Sequence, residues 1–468
     1  MVESQCPNQG FTMKHRLILT LAVALIGAWS LVLSAKSTAS PETAGESVRL
    51  RVEVDRAVLP AETTEKAVIK IALDGLRLPR RETRPPVNLA LVIDRSGSME
   101  GDKIIKARQA ALEAVRYLAP DDIVSLIAYD TRVETLVSAQ QVGDGRRLAA
   151  AIRSIEAGGN TALYGGVTRG AAEVRRYLED RSYVNRVILL SDGLANVGPS
   201  SADELGRLGV SLMKEGISVT TIGLGLGFNE DLMTRLAQRS DGNTYFVEES
   251  SDLPRIFAAE LGDVLNVVAR RVVIEIEFPA GVRPLAFVGR DGVIRGQKAE
   301  LTLNQLYGGQ EKFALVEVEV SPCESGGERE IARARVSYED ANSRRSATLT
   351  AKRTVQFSAS RTVVVESADH RVQADYAANV MAVAKDEAVT LVDSNRRDAA
   401  AIVIRKRAEE LSKMAATYSN SAVRAVAAAA APEADRVEKE GLGNAERKAY
   451  RAESAQVKSQ QNSGLSQP

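Results

Sequence analysis

The pattern of hydrophobic and polar positions changes character several times along the chain. Residues 47–80 alternate apolar and charged positions, which predicts strands with one buried face. From residue 87 onward, short continuous apolar runs take turns with segments of helical period, a pattern typical of a mainly parallel α/β sheet. After residue 268 the two-residue alternation returns and predicts an antiparallel β-sandwich, with residues 362–366 as its last strand.

The α/β segment is predicted to hold roughly six strands and six helices, the content of one doubly wound domain. Branched apolar runs mark the strands, and apolar residues at helical spacing mark the buried faces of the helices. The predicted strands cover residues 89–93, 122–129, 133–138, 184–190, 218–224 and 244–247, and the predicted helices cover residues 104–118, 146–156, 163–178, 202–215, 230–239 and 251–265.

The order of these patterns predicts the domain organisation. Residues 45–80 are too few to bury a core alone, so we expect them to join the sheets of residues 268–367. The α/β domain of residues 87–266 would then be inserted in, or flanked by, an antiparallel β-sandwich. Residues 370–416 regain a helical period and predict a helical hairpin. Residues 417–468 contain few large apolar side chains, which predicts a disordered tail.

The N-terminal stretch has the layout of a secretory signal peptide. A basic segment at residues 13–16 precedes the apolar run of residues 17–33 and a group of small residues. We therefore expect residues 1–40 to be a signal peptide, with Met13 as the true start and residues 1–12 an over-extended gene model. The protein would be exported to the periplasm or out of the cell. The alternative is an uncleaved membrane anchor, because the apolar run is near the lower length limit for a spanning helix.

Composition excludes several classes of function. Lys plus Arg and Asp plus Glu both number 61, and this balance does not indicate a nucleic-acid partner. A zinc site of the usual Cys/His kind cannot be assembled from His15, His370, Cys6 and Cys323, and the sequence contains no Gly-x-Ser-x-Gly motif. The run Gly223-x-Gly225-x-Gly227 follows a late strand and lacks the spacing of a dinucleotide fingerprint, so no nucleotide partner is predicted.

Oxygen-bearing side chains lie in three separate loops of the predicted α/β domain. Asp94, Ser96 and Ser98 come directly after the first strand, Thr161 precedes a helix, and Asp192 follows the strand at 184–190. The carboxyl ends of such strands can converge at the point where strand order reverses. Five oxygen ligands with added waters suit Mg²⁺. The alternative, that the two serines only cap the first helix, leaves Thr161 and Asp192 unexplained.

Residues 87–260 resemble a von Willebrand factor type A (VWA) domain. The Asp-x-Ser-x-Ser motif, the Gly-Gly-Asn-Thr loop and the Ser-Asp-Gly turn match the metal-ion-dependent adhesion site (MIDAS) of that family in order and in position. The resemblance implies a Mg²⁺ ion, or Mn²⁺ or Ca²⁺, held directly by Ser96, Ser98 and Thr161, with Asp94 and Asp192 often acting through water. It also implies an open coordination position that an Asp or Glu carboxylate of a partner protein fills.

The flanking segments are similar to those of exported bacterial proteins that carry this domain. We therefore expect a non-enzymatic, metal-dependent protein–protein interaction module of the cell envelope, acting in adhesion or as a scaffold. One alternative is a Mg²⁺-dependent hydrolase, since the ion can act as a Lewis acid, but no general base can be named beside it. The other alternative is a scaffold in which the metal is only structural.

Overall fold

The computed structural model describes residues 42–45, 47–77, 84–180 and 182–461. Residues 1–40, over which a signal peptide or membrane anchor is predicted, lie outside these ranges. Within them, every helix is too short or too polar to cross a lipid bilayer.

The secondary structure follows the predicted alternation of all-β, α/β, all-β and helical segments. The strands are β1 (Glu42–Ala44), β2 (Val48–Val54), β3 (Val58–Pro60), β4 (Glu65–Gly75), β5 (Val87–Asp94), β6 (Ile123–Tyr129), β7 (Val133–Gln141), β8 (Val184–Ser191), β9 (Ile217–Leu224), β10 (Thr244–Val247), β11 (Val267–Glu277), β12 (Val282–Val288), β13 (Val293–Arg295), β14 (Lys298–Tyr307), β15 (Glu311–Val320), β16 (Glu328–Asp340) and β17 (Ser346–Ser358). The helices are α1 (Asp102–Tyr117), α2 (Arg146–Arg153), α3 (Leu163–Arg175), α4 (Ala202–Lys214), α5 (Glu230–Arg239), α6 (Leu253–Val264), α7 (Arg361–Glu366), α8 (His370–Asp393), α9 (Arg397–Tyr418), α10 (Ser421–Glu440) and α11 (Asn444–Ser459).

The α/β domain is built on one six-stranded sheet in the order β10-β9-β8-β5-β6-β7. All neighbours are parallel except β7, which runs antiparallel to β6 at the edge. Helices α1, α2 and α6 cover one face of this sheet, and α3, α4 and α5 cover the other. Strands β5, β8 and β9 are buried along their whole length, which explains their continuous apolar sequence. Strand order reverses around β5, so the loops after β5 and β8 meet at the carboxyl edge.

Two further sheets enclose the second core, in the orders β1-β2-β4-β15-β12 and β13-β14-β11-β16-β17-β3. Strands before the α/β domain pair with strands after it, as β4 does with β15 along ten residue pairs. The pairs are antiparallel except β17 with β3, which is parallel. Alternating residues of β2 and β11 face the shared core, including Leu50 and Ile274. The predicted fold class, a doubly wound domain combined with an antiparallel β-sandwich and C-terminal helices, is confirmed.

The prediction of a last strand over residues 362–366 is wrong, because this segment is the short helix α7. Its run of β-branched residues favours a strand. Ser360, however, accepts a hydrogen bond from the Val363 N–H and caps a helical turn. This turn brings Ser367 back to β3, where its hydroxyl accepts the Val58 N–H at 3.0 Å.

The prediction of a disordered tail over residues 417–468 is wrong for Ser421–Glu440 and Asn444–Ser459, which form α10 and α11. Alanine has the highest helix propensity, and its small side chain lets two helices approach closely. Helix α11 buries Tyr450 and Ala455 and also forms ion pairs, since Arg447 contacts Asp231 at 2.6 Å and Lys448 contacts Glu230 at 2.6 Å. A scarcity of large apolar residues therefore does not prevent packing here. The buried stripe of α10 consists of Val423, Ala427, Ala430, Ala434 and Val437.

The sandwich packs against the α/β domain near the amino ends of its parallel strands. Arg186, the third residue of β8, is completely buried at this junction. Its guanidinium donates to Thr220 Oγ1 at 3.1 Å, to Gln305 Oε1 at 2.8 Å and to the Tyr307 hydroxyl. The Glu260 carboxylate, also completely buried, lies 3.7 Å from the guanidinium. The junction therefore contains a buried charged network.

Candidate metal centre

Strand β5 ends at Asp94, whose carboxylate joins two neighbouring strand ends. Asp94 Oδ1 accepts the Ser96 N–H at 2.8 Å, which bends the chain directly after the strand. Asp94 Oδ2 accepts the Ser191 hydroxyl at 2.6 Å, at the end of β8. Asp94 is completely buried and Ser96 almost so. The strand thus ends by placing a carboxylate in the space between two loops.

Three hydroxyl groups and a second carboxylate surround one point at the carboxyl edge of the sheet. Ser96 Oγ lies 3.1 Å from Ser98 Oγ, which donates to Asp192 Oδ1 at 2.6 Å. A Cβ atom placed on Gly193 would lie 3.0 Å from Thr161 Oγ1, 3.2 Å from Ser98 Oγ and 3.7 Å from Ser96 Oγ. The glycine therefore leaves open the space that the hydroxyls line. All five residues predicted as ligands lie together at this edge.

The loop that carries Thr161 is fixed from both sides. The Thr161 N–H donates to Asn196 Oδ1 at 2.8 Å. Gly159 accepts the Gly97 N–H at 2.9 Å and has a φ of +81°. A Cβ on Gly159 would also lie only 2.9 Å from Thr131 Oγ1, so this position requires glycine. The Gly-Gly-Asn-Thr sequence is explained by this close approach between loops.

Lys103 also reaches the centre, although it was not among the predicted site residues. Its ammonium lies 2.5 Å from Asp192 Oδ2 and 3.2 Å from the Ser98 carbonyl oxygen. Lys103 belongs to the first turn of α1, which begins soon after the serine-rich loop. A lysine near the start of the helix after Asp-x-Ser-x-Ser is the sequence feature that could have identified it.

Burial shapes the electrostatics of the centre. Desolvation raises the pKa of Asp94 to about 6, against the lowering effect of hydrogen bonds from Ser191 and Ser96. The negative charge of nearby Asp192 raises it further. Two buried carboxylates so close together favour the arrival of positive charge.

The titration of Asp94 predicts that chelator-treated protein becomes more stable on mild acidification. Folded Asp94 takes up a proton near pH 6, whereas an unfolded aspartate does so near pH 3.9. The stabilising proton is thus present at about pH 5 and lost as the pH rises through 6. Between about pH 7 and pH 5 we expect Asp94 to add about 1 kcal/mol to the free energy of unfolding, measured with urea. Asp94→Asn is the control, and an equal pH dependence in both chains would contradict the assignment.

The donor set suits a hard divalent cation. Two carboxylates and three hydroxyls are oxygen donors, which Mg²⁺, Mn²⁺ and Ca²⁺ prefer. Across residues 42–45, 47–77, 84–180 and 182–461, no three His, Cys, Asp or Glu side chains are grouped so as to hold a metal by themselves. The candidate donor set at this edge combines hydroxyls with carboxylates.

Both carboxylates of the centre are engaged, and two apolar side chains lie beside it. Both oxygens of Asp94 and both of Asp192 are engaged by the contacts given above. Two exposed apolar side chains lie beside the centre, Leu194 at 59% and Leu226 at 48% exposure. Leu226 belongs to the turn Gly225–Gly227, in which a Cβ on Gly227 would lie 2.6 Å from the Asp192 carbonyl oxygen. The glycine-rich run is thus a strand-to-helix turn that packs against the centre.

Comparison with known families identifies the α/β domain. The family model described as "von Willebrand factor type A domain" matches residues 88–259. These residues are therefore a VWA domain, as predicted. VWA domains commonly mediate metal-dependent protein–protein interactions and typically bind a divalent cation at a MIDAS.

Relatives with similar sequences cover different shares of the chain. "Uncharacterized protein sll0103" of Synechocystis is 29% identical over 59% of this chain and 67% of its own length. "Uncharacterized protein YfbK" of Escherichia coli is 27% identical over 49% of this chain and 40% of its own. Inter-alpha-trypsin inhibitor heavy chain H3 of Homo sapiens is 27% identical over 42% of this chain and 22% of its own. This chain thus spans less than half of the last two relatives.

Solved structures share the fold over most of the chain. The von Willebrand factor type A protein of Catenulispora acidiphila has a TM-score of 0.61 and 17% identity, covering 80% of this chain and 91% of its own. The ArnB paralog VWA2 of Sulfolobus acidocaldarius has a TM-score of 0.58 and 15% identity, covering 88% and 98%. At these identities the likeness concerns the fold alone.

Proposed function

We propose that this protein is a metal-dependent protein–protein interaction module of the cell envelope. Asp94, Ser96, Ser98, Thr161 and Asp192 would hold Mg²⁺, which Mn²⁺ or Ca²⁺ could replace. The observation that supports this proposal is the convergence of three hydroxyls and a carboxylate around Gly193. When bound, the ion supplies concentrated positive charge with a coordination position open to a partner.

The chemistry of the site favours an acidic partner residue. Hydroxyl ligands are neutral, so a cation that they contact directly keeps much of its charge. An Asp or Glu carboxylate of another protein would complete the shell and neutralise that charge. Leu194 and Leu226 beside the centre would add apolar contacts around the carboxylate. We therefore expect the partner to present an acidic residue flanked by apolar ones.

A binding role fits the remaining features better than catalysis does. No histidine lies in the VWA domain, and both site carboxylates are already engaged. A role in the envelope, either periplasmic or extracellular, is supported by the signal-like sequence of residues 13–40. An adhesive role and a scaffolding role would both use the same metal-mediated contact with a partner.

Capture from envelope extract tests the proposal. The immobilised wild-type chain is incubated with extract in MgCl₂ or in chelator, beside Ser98→Ala and the control Thr131→Val. We expect chelator and Ser98→Ala each to reduce recovery of the same partner at least about tenfold, because the metal contact is lost. Thr131→Val, which removes a hydroxyl outside the ligand set, should retain capture.

The role of the carboxylate is tested on the extract itself. Amidating its Asp and Glu side chains beforehand should abolish Mg²⁺-dependent capture. Capture that persists in chelator and with Ser98→Ala would contradict the adhesion mechanism and leave the metal a structural role. Chelator-sensitive turnover of a phosphoester or peptide substrate would instead support the hydrolase alternative.

A further inference from the structure

We propose that Lys103 is a built-in competitor of the divalent cation, an ammonium that shares Asp192 with the metal and must leave when the metal binds. This inference rests on the metal site proposed above. It adds a residue that sets how tightly the site holds its ion.

Lys103 is positioned at the centre by contacts from three segments. Its ammonium lies 2.5 Å from Asp192 Oδ2 and donates to the Ser98 carbonyl oxygen at 3.2 Å. Gly225, with a φ of +68°, faces the end of the side chain, since a Cβ there would lie 3.9 Å from Lys103 Cε and Nζ. The turn after β9 thus lies close to the end of the lysine side chain. The contacts indicate a defined position for the ammonium.

The two partners differ in their freedom to move. Asp192 is completely buried, whereas the Lys103 side chain is 36% exposed. Asp192 Oδ1 accepts the Ser98 hydroxyl, so this carboxylate joins the predicted ligand set to the lysine. Lysine has a long flexible stem and a strongly hydrated head, so it can move into solvent at modest cost. Asp192 is held in place while its counterion can be exchanged.

Repulsion between the two cations makes Lys103 and the metal ion compete for Asp192. A divalent ion among the hydroxyls would lie within a few ångströms of the ammonium, where two cations repel strongly in a partly buried site. Metal binding must therefore release the lysine from Asp192. The apparent affinity for metal would equal the intrinsic affinity multiplied by the fraction of molecules in which the lysine has left the carboxylate. Lys103 would in this way set the concentration of metal at which the site fills.

The test compares two lysines on one helix. Lys103→Met removes the competing ammonium, whereas Lys106→Met removes the same charge from the next turn of α1. Mg²⁺ binding to the full chain, stripped of metal by chelator, is measured by isothermal titration calorimetry. We expect Lys103→Met to lower the Kd for Mg²⁺ about tenfold, because nothing then competes for Asp192. Lys106→Met should leave the Kd within about twofold of wild type.

A second measurement uses the wild-type chain and does not depend on a variant folding. Brief amine acetylation followed by mass spectrometry reports the accessibility of Lys103, with Lys106 as an internal reference. MgCl₂ should raise the labelling of Lys103 and leave that of Lys106 unchanged.

The outcomes separate this inference from the proposed function. If Lys103→Met binds Mg²⁺ with the same Kd as the wild type, or with a higher Kd, the competitor role is overturned and the metal site still stands. Labelling of Lys103 that does not respond to Mg²⁺ would overturn it as well. Absence of Mg²⁺ binding in both chains would overturn the metal site together with the inference.

Discussion

Millimolar MgCl₂ is expected to raise the melting temperature of the wild-type protein, and Thr161→Val is expected to abolish this rise. A ligand that binds only the folded state at a hundred times its Kd adds about 2.7 kcal/mol of stability. For a domain of this size that corresponds to about 5–10 °C. Thr161 is almost fully buried, and valine keeps its shape while removing the hydroxyl that faces Gly193. Differential scanning calorimetry with and without MgCl₂ provides the measurement.

Thr131→Val is the matched control for this experiment. Thr131 Oγ1 lies in the neighbouring loop and accepts the Asn160 N–H at 2.9 Å, outside the predicted ligand set. Its loss lowers stability slightly in both buffers and should leave the Mg²⁺-dependent rise intact. If Mg²⁺ raises the melting temperature of Thr161→Val as much as that of the wild type, Thr161 is not a ligand. If Mg²⁺ does not raise the melting temperature of the wild type, the metal site itself is contradicted.

Arg186→Met is expected to lower the free energy of unfolding by about 3–5 kcal/mol, measured with urea. The substitution leaves the completely buried Glu260 carboxylate without the guanidinium that lies 3.7 Å away. It also removes the donors to Gln305 and Tyr307, which lie on β14 of the sandwich. The lost stability therefore comes from the junction between the two cores.

Two further variants make the Arg186 result specific. Arg175→Met removes an exposed arginine paired with Glu215 at 2.6 Å, and it should cost less than about 1 kcal/mol. Adding Glu260→Gln to Arg186→Met should recover part of the loss, because the unpaired buried charge is gone. A cost for Arg186→Met no larger than that of Arg175→Met would show that the junction does not depend on this network.

Regular periodicity made most of the fold predictable. The fully buried strands β5, β8 and β9 appear in the sequence as apolar runs, and the helices between them as stripes with one apolar face. Periodicity did not predict the segments whose packing does not depend on a stripe of large apolar residues. Helix α10 buries alanines, α11 combines a few buried residues with ion pairs, and α7 is set by the cap at Ser360 against local preference.

The candidate site was predictable to the extent that it is encoded in motifs. Asp94, Ser96 and Ser98 share a two-residue spacing, and Thr161 and Asp192 lie in loops with recognisable glycines. That these residues ligate a metal stays a prediction. Lys103 was missed because a lysine at the start of a helix is usually a solvated surface residue. Its role depends on a contact across loops that no local pattern reveals.

The insertion of the VWA domain into the sandwich has a mechanical consequence. The sandwich contacts the amino ends of the parallel strands around Arg186, and the metal edge lies at their carboxyl ends. Strand β8 has eight residues, so these two ends are about 26 Å apart. A partner at the metal edge could then apply force along the strand axes. Tension would load the parallel sheet in shear, with many hydrogen bonds sharing the force, and would reach the sandwich through its buried charged junction.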